Sequence, residues 1–94
     1  MNIKKIMEEN YNIVKEKLDL NSMDIKDHLK GIQEEILESY LAYYNDDQKD
    51  ECNSFDVEVA DIILRTLTLC KSFNIDIEQA IKNKIAYNKL RKYE

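Results

Sequence analysis

The sequence predicts an all-α fold, a four-helix bundle formed as a single domain over residues 1–94, and three observations lead there. The chain has 94 residues with one Gly and no Pro, so few positions can turn a strand or interrupt a helix. Apolar residues recur at three- and four-residue intervals through most of the chain rather than in alternation. The stretches without that period are short and rich in Asn, Asp and Ser, the residues that cap helices.

A first helix is expected over 3–18, where Ile3, Ile6, Met7, Ile13, Val14 and Leu18 fall roughly on one stripe and Lys4, Lys5, Glu8, Glu9 and Lys15 lie elsewhere. Asn21, Ser22 and Asp24 then offer caps, and a second helix should run over 25–44 with Leu29, Ile32, Ile36, Leu37 and Tyr40 turned inward. The segment 45–54, NDDQKDECNS, is polar and aperiodic and reads as a loop in which Asn53 or Ser54 caps the next helix. That third helix, FDVEVADIILRTLTLCKSF over 55–73, is apolar on nearly every face, the mark of a central element or an oligomer contact. Asn74 can close it in the left-handed region, and Asp76 with Gln79 reads as a capping box opening a fourth helix that reaches about residue 91. Four helices joined by short loops make a bundle.

Composition removes several classes of function. Fourteen basic residues against nineteen acidic ones give a net charge of −5, the wrong sign for nucleic-acid binding. No stretch approaches the roughly 18 apolar residues of a membrane span. The opening MNIKKIMEEN places acids where a secretory signal needs an apolar core, so a soluble, cytoplasmic protein is expected. Cys52 and Cys70 show no metal-binding spacing and are read as free thiols without a catalytic role. A chain this short buries only about 60 to 65 per cent of its unfolded surface, so stability is expected to be shared with a second copy.

Two acidic pairs interrupt the apolar pattern, Glu35 with Glu38 and Glu58 with Asp61, each with i,i+3 spacing. Residues three apart on a helix lie one above the other, so each pair aims two carboxylates the same way. Two such helices face to face would gather four carboxylates, which must protonate, splay into water or bind cations. Oxygen-only ligands favour Mg2+ or Mn2+. The plainer reading is that these are solvated acids on surface helices. On the fourth helix Lys84, Asn88 and Arg91 lie within about 60° of one another, a donor face able to grip phosphate oxygens. The competing reading is a basic final turn complementing the helix dipole, with Lys82, Lys89 and Lys92 nearby.

Written in order, the pattern is Glu34-Glu35-Ile36-Leu37-Glu38, then 19 residues, then Glu58-Val59-Ala60-Asp61, followed by Lys84, Asn88 and Arg91 on a last helix. It resembles the all-α nucleoside triphosphate pyrophosphohydrolases of the MazG type, a superfamily that includes dimeric dUTPases and dCTP pyrophosphatases and is marked by EExxE, a downstream ExxD and KxxxNxxR. The resemblance spans about residues 29–91. It implies Glu35, Glu38, Glu58 and Asp61 as ligands of Mg2+, with Mn2+ as an alternative, and Glu35 or Glu38 as the group orienting or deprotonating the attacking water. It further implies Lys84, Asn88 and Arg91 as substrate-binding residues, a nucleoside triphosphate as substrate, and a homo-oligomer, dimer or tetramer, with the second and third helices paired across it.

Several residues remain open between a functional and a plain role. His28, the sole histidine, shares a helical face with Glu35, yet a first-turn position more often serves capping or solvation. Arg65, one turn after Asp61, is read as that acid's partner, with phosphate contact as the alternative. Glu34 points away from Glu35 and has Lys30 as an i−4 partner. Tyr40, Tyr43, Tyr44 and Tyr87 can stack on a base, but aromatic residues at helical spacing more often form core. A di-iron carboxylate bundle is excluded, because it needs two ExxH pairs and the chain has none. The main rival to an enzyme is a non-catalytic helical oligomerisation or regulatory module.

Overall fold

In the computed structural model, which describes residues 2–44 and 54–91, three of the four helices open at a residue whose side chain caps them. Helix α1, Ile3–Val14, opens at Asn2, whose side chain accepts from the Lys5 N–H. A 3-10 turn, Leu20–Ser22, follows, then α2, Ile25–Tyr44. Before α2 the backbone N–H of Asp24 donates to the Asp27 carboxylate and that of Asp27 donates back to Asp24, a reciprocal capping pair. Helix α3 spans Phe55–Ser72 from its cap position at Ser54, and α4 spans Ile77–Leu90. The α3 to α4 joint is built as expected. Asn74 has φ of 56°, the Ile75 N–H donates to the Cys70 carbonyl, and Asp76 accepts from the Gln79 N–H. Gln79 turns its own amide to Asn83 rather than closing a full box.

Among the described residues the architecture is therefore all-helical, with four helices and no strand. The stretch 45–53, expected as a loop and containing Cys52 and the alternative cap Asn53, lies outside the described residues, as does Lys92. No described helix is long and apolar enough to cross a membrane. Helix α3 is the centre, with both α2 and α1 packed along it. Asn10 of α1 fastens that second contact, donating to the Leu64 carbonyl and to Thr68 Oγ1, and Lys71 of α3 pairs with Glu8. The buried apolar side chains are Leu20, Leu67, Leu69 and Cys70, the last a free thiol.

Three expectations need correcting. The first helix stops at Val14 rather than residue 18, because the Lys17 and Leu18 N–H groups both donate to the Val14 carbonyl and tighten the chain into a turn. That turn carries Leu20 into the core and leaves Ile13 and Leu18 exposed. On α2 the buried face is His28, Gly31, Glu35 and Ser39. Leu29, Ile36, Leu37 and Tyr40, expected inward, are exposed and Ile32 is half-buried, because α3 covers the small and polar face of α2 and no described residue covers the apolar one. Finally, α4 buries no residue. It packs less closely on the other three helices than expected of a bundle member, while the all-helical arrangement of four helices stays consistent with a helical bundle.

The dimensions agree with that open arrangement. The Cα radius of gyration is 15.3 Å, where about 12 Å is usual for a compact chain of this length. The accessible surface is 7786 Å2, where a folded monomer of this mass exposes about 5,700 Å2.

Candidate metal centre and adjoining cavity

Glu35 and Glu38 leave α2 one turn apart, and Glu58 leaves the first turn of α3, so the α2/α3 contact brings the three together. One carboxylate oxygen from each lies within 4.8 Å of the others. Glu35 and Glu58 are buried, and Glu38 stands at the exposed edge. The buried pair is conspicuous because Glu35 Oε2 and Glu58 Oε2 make no hydrogen bond. Like charges at that spacing repel by on the order of 3 kcal/mol at an effective dielectric of about 20, and by less at Glu38, which solvent screens.

The carboxyls register this crowding. Burial pushes Glu35 upward from the ordinary carboxylate range, the charge of Glu38 and a hydrogen bond with it add to the rise, and Asp61 contributes, while Arg65 opposes. Burial likewise raises Glu58, with further contributions from Glu38 and Asp61. Asp61, the fourth expected ligand, is half-buried and does not share the close spacing of the other three, although its charge bears on Glu35 and Glu58.

Among the described residues, one cation reaches the cluster. Arg65 Nη2 lies 3.5 Å from Glu35 Oε1, so Arg65 pairs across the helix contact and not with Asp61 on its own helix. The chain's one glycine makes this approach possible. Gly31 is buried in the middle of α2, and a Cβ there would stand 3.0 Å from Arg65 Nη1. Glycine in a helix interior costs about 1 kcal/mol relative to alanine, and here it gives room for a guanidinium crossing the α2 backbone.

Beside the cluster is a cavity of about 300 Å3 between α1, the 3-10 turn, α2 and α3. Val14, Leu20, Met23 and Leu64 wall it, and His28, Asp61 and Arg65 supply polar groups. His28 is buried, contrary to its expected place in a solvated first turn, because its ring packs edge-on against Phe73 with centroids 5.7 Å apart. Its Nε2 has no hydrogen-bond partner. Burial lowers its pKa below the usual histidine value, Asp27 and Asp24 partly opposing and Arg65 assisting, so the imidazole is neutral near pH 7.

Lys84 and Asn88 are on α4 and Arg91 is its C-cap residue, and none of them lines this cavity. Lys84 holds its ammonium 4.7 Å from the Tyr87 ring centroid, and with Arg91 it borders a shallow groove along α4. Asn88 Oδ1 is shielded from solvent without a hydrogen bond. Glu34 is exposed, as expected. Tyr40, Tyr43 and Tyr44 gather with Phe55 into a chain of ring contacts, with centroids 4.6 to 5.2 Å apart, at the far end of α2.

Comparison with protein-family models, with curated proteins and with solved structures yields no match.

Proposed function

We propose that the chain is a Mg2+-dependent nucleoside triphosphate pyrophosphohydrolase, a MazG-like enzyme that converts a (d)NTP to the (d)NMP and pyrophosphate. The observation carrying this reading is the convergence of Glu35, Glu38 and Glu58 from two helices, with two buried carboxylate oxygens left without partners. Buried unpartnered carboxylates are costly, and an all-oxygen set suits Mg2+ or Mn2+. Glu35, Glu38 and Glu58 hold the ion, with Asp61 completing the set. A bound divalent ion supplies charge neutralisation on the triphosphate oxygens and acidifies a coordinated water.

The reaction needs a water in line with the α-phosphorus. The water oxygen bonds to that phosphorus, the α–β bridging P–O bond breaks, pyrophosphate departs, and the water's proton passes to a carboxylate. Glu35 is the preferred acceptor, with Glu38 as the alternative. Arg65 balances the cluster's charge before the substrate arrives. Lys84, Asn88 and Arg91 bind phosphate oxygens from α4. Because α4 buries no residue in its own chain, a second copy is the natural source of that contact.

A homo-oligomer, dimer or tetramer, belongs to the same reading. The surface exceeds that of a folded monomer by about 2,000 Å2 per chain, above the roughly 800 Å2 per partner of a standard interface and within the range of an obligate one. The uncovered α2 face of Leu29, Ile36 and Tyr40 is the region to be buried.

The test is pyrophosphate release from a panel of canonical and modified (d)NTPs with Mg2+, with Mn2+ and with EDTA, alongside Glu38→Gln. Metal-dependent release lost in the variant is the expected result. No release from any nucleotide under any metal sinks the reading. It would favour the second one, a non-catalytic helical oligomerisation module, for which the exposed apolar faces of α2 and α4 are the specific observation.

A further inference from the structure

The cavity beside the acids has a composition that the acid chemistry does not require. Its walls are aliphatic at Val14, Leu18, Leu20, Met23 and Leu64, with Asn10, Lys17 and Thr68 among them, and the buried imidazole among its lining residues has an unused nitrogen. Arg65 joins the two places, because it lines the cavity and also pairs with Glu35. Asp61 does so as well, lining the cavity while its charge is felt by Glu35 and Glu58. A ligand matching both compartments has a flat, weakly polar head for the aliphatic walls and a polyanionic tail directed past Arg65 to the carboxylates.

From this we infer that the cavity receives the nucleobase of the substrate and that His28 is a specificity-determining residue, its ring turning the shielded Nε2 to meet the edge of the base. The inference rests on the nucleotide reading given above and adds to it where the base sits and which side chain reads it. The volume, about 300 Å3, is at the small end of ligand pockets and suits a single heterocycle with part of its sugar. Neutral imidazole offers that edge one hydrogen bond and no charge, so it discriminates between bases by whether they present the complementary donor or acceptor. Phe73 holds the ring in place from the side. A base lacking the matching group leaves Nε2 buried and unpaired, as it is without ligand, and gains nothing there.

His28 is the only histidine, so its Cε1–H resonance reports on the cavity without labelling schemes or catalysis. Titrating the full chain, metal-free, with adenosine, guanosine, cytidine, uridine and thymidine to millimolar concentration should move that resonance saturably for at least one nucleoside. Inorganic tripolyphosphate should leave it in place. Val14→Phe, which projects a ring into the cavity, should abolish the nucleoside response while helical circular dichroism is retained. In the hydrolysis assay, His28→Gln should change the ratio of kcat/KM between the best and worst bases by about three- to tenfold, the worth of one neutral hydrogen bond.

The inference is overturned if metal-dependent hydrolysis occurs while no nucleoside moves His28 and the base ratios of His28→Gln equal those of wild type. A saturable, Val14→Phe-sensitive shift in a protein that hydrolyses nothing supports the cavity as a base site and discards the enzyme.

Discussion

The α2/α3 contact and helix α4 invert the usual distribution of side chains. The first buries Glu35, Glu58, His28 and Ser39, while the second leaves Ile81, Ile85, Tyr87 and Leu90 in water. A chain optimised only to stand alone would do the opposite, since burying an unpaired carboxylate costs several kcal/mol and burying an aliphatic side chain gains about 2 kcal/mol. On the function proposed above, the polar contact is kept for the ion it would bind and the bare apolar helix for the second copy that would cover it.

The largest effect that separates the two regions is expected at the acids. Glu38→Gln or Asp61→Asn should reduce pyrophosphate release by about 100-fold or more, on the scale of losing a metal ligand, while metal-free thermal stability stays equal or rises because repulsion is relieved. Activity retained in either variant removes that residue from the metal site. Next comes the uncovered face of α2. Ile36→Glu should convert the oligomer to monomer in sedimentation velocity, and an unchanged sedimentation coefficient would show that the α2 stripe is not where copies meet.

The pH dependence is smaller and has opposite signs at the two kinds of buried group. Glu35 and Glu58 are raised in the fold, so their contribution to metal-free stability is full below the ordinary carboxylate range and is lost as pH rises through their folded values. His28 is lowered, so its contribution is present above the ordinary histidine value and is lost as pH falls through its folded one. Melting curves should therefore show Glu58→Gln gaining on wild type toward alkaline pH. Wild type should lose ground to His28→Gln toward acid. Parallel curves in either comparison contradict the assigned burial.

The smallest effect is expected at Gly31→Ala. The new Cβ meets the end of a flexible side chain, so Arg65 swings off Glu35 rather than the helices parting. The helix gains about 1 kcal/mol from alanine and loses an ion pair worth about as much or less. The melting temperature should stay level or rise slightly, and the activity profile should move to higher pH as Glu35 loses the cation that opposes its rise. A large loss of stability would mean that the backbone at Gly31, and not Arg65, has to move.

How much was legible beforehand follows from the range of each interaction. Helix α2 has the expected bounds, and Asn74 and Asp76 act as read, because caps and left-handed turns are decided by neighbours in sequence. The spacing that placed Glu35 above Glu38 is equally local. The inward face of α2 was not legible, because Leu29 and Ile36 carry the stronger apolar pattern and only the tertiary contact shows that α3 lies over His28, Gly31 and Glu35. Arg65 was assigned to Asp61 by i,i−4 proximity, whereas the pair forms across two helices. One signal was present: a lone glycine inside a 20-residue helix marks a close approach, and Gly31 stands three residues from His28 and four from Glu35. The place of Lys84, Asn88 and Arg91 relative to the acids depends on α4, which buries no residue among the described ones.

The most direct test of the central claim, that the buried acids exist to hold a divalent cation, is calorimetric titration of Mg2+ and Mn2+ into wild type and Glu58→Gln. Saturable binding in wild type that is lost or weakened by at least about tenfold in the variant is the result expected when a ligand is removed. Absence of binding in wild type, or equal binding in both proteins, would contradict the account.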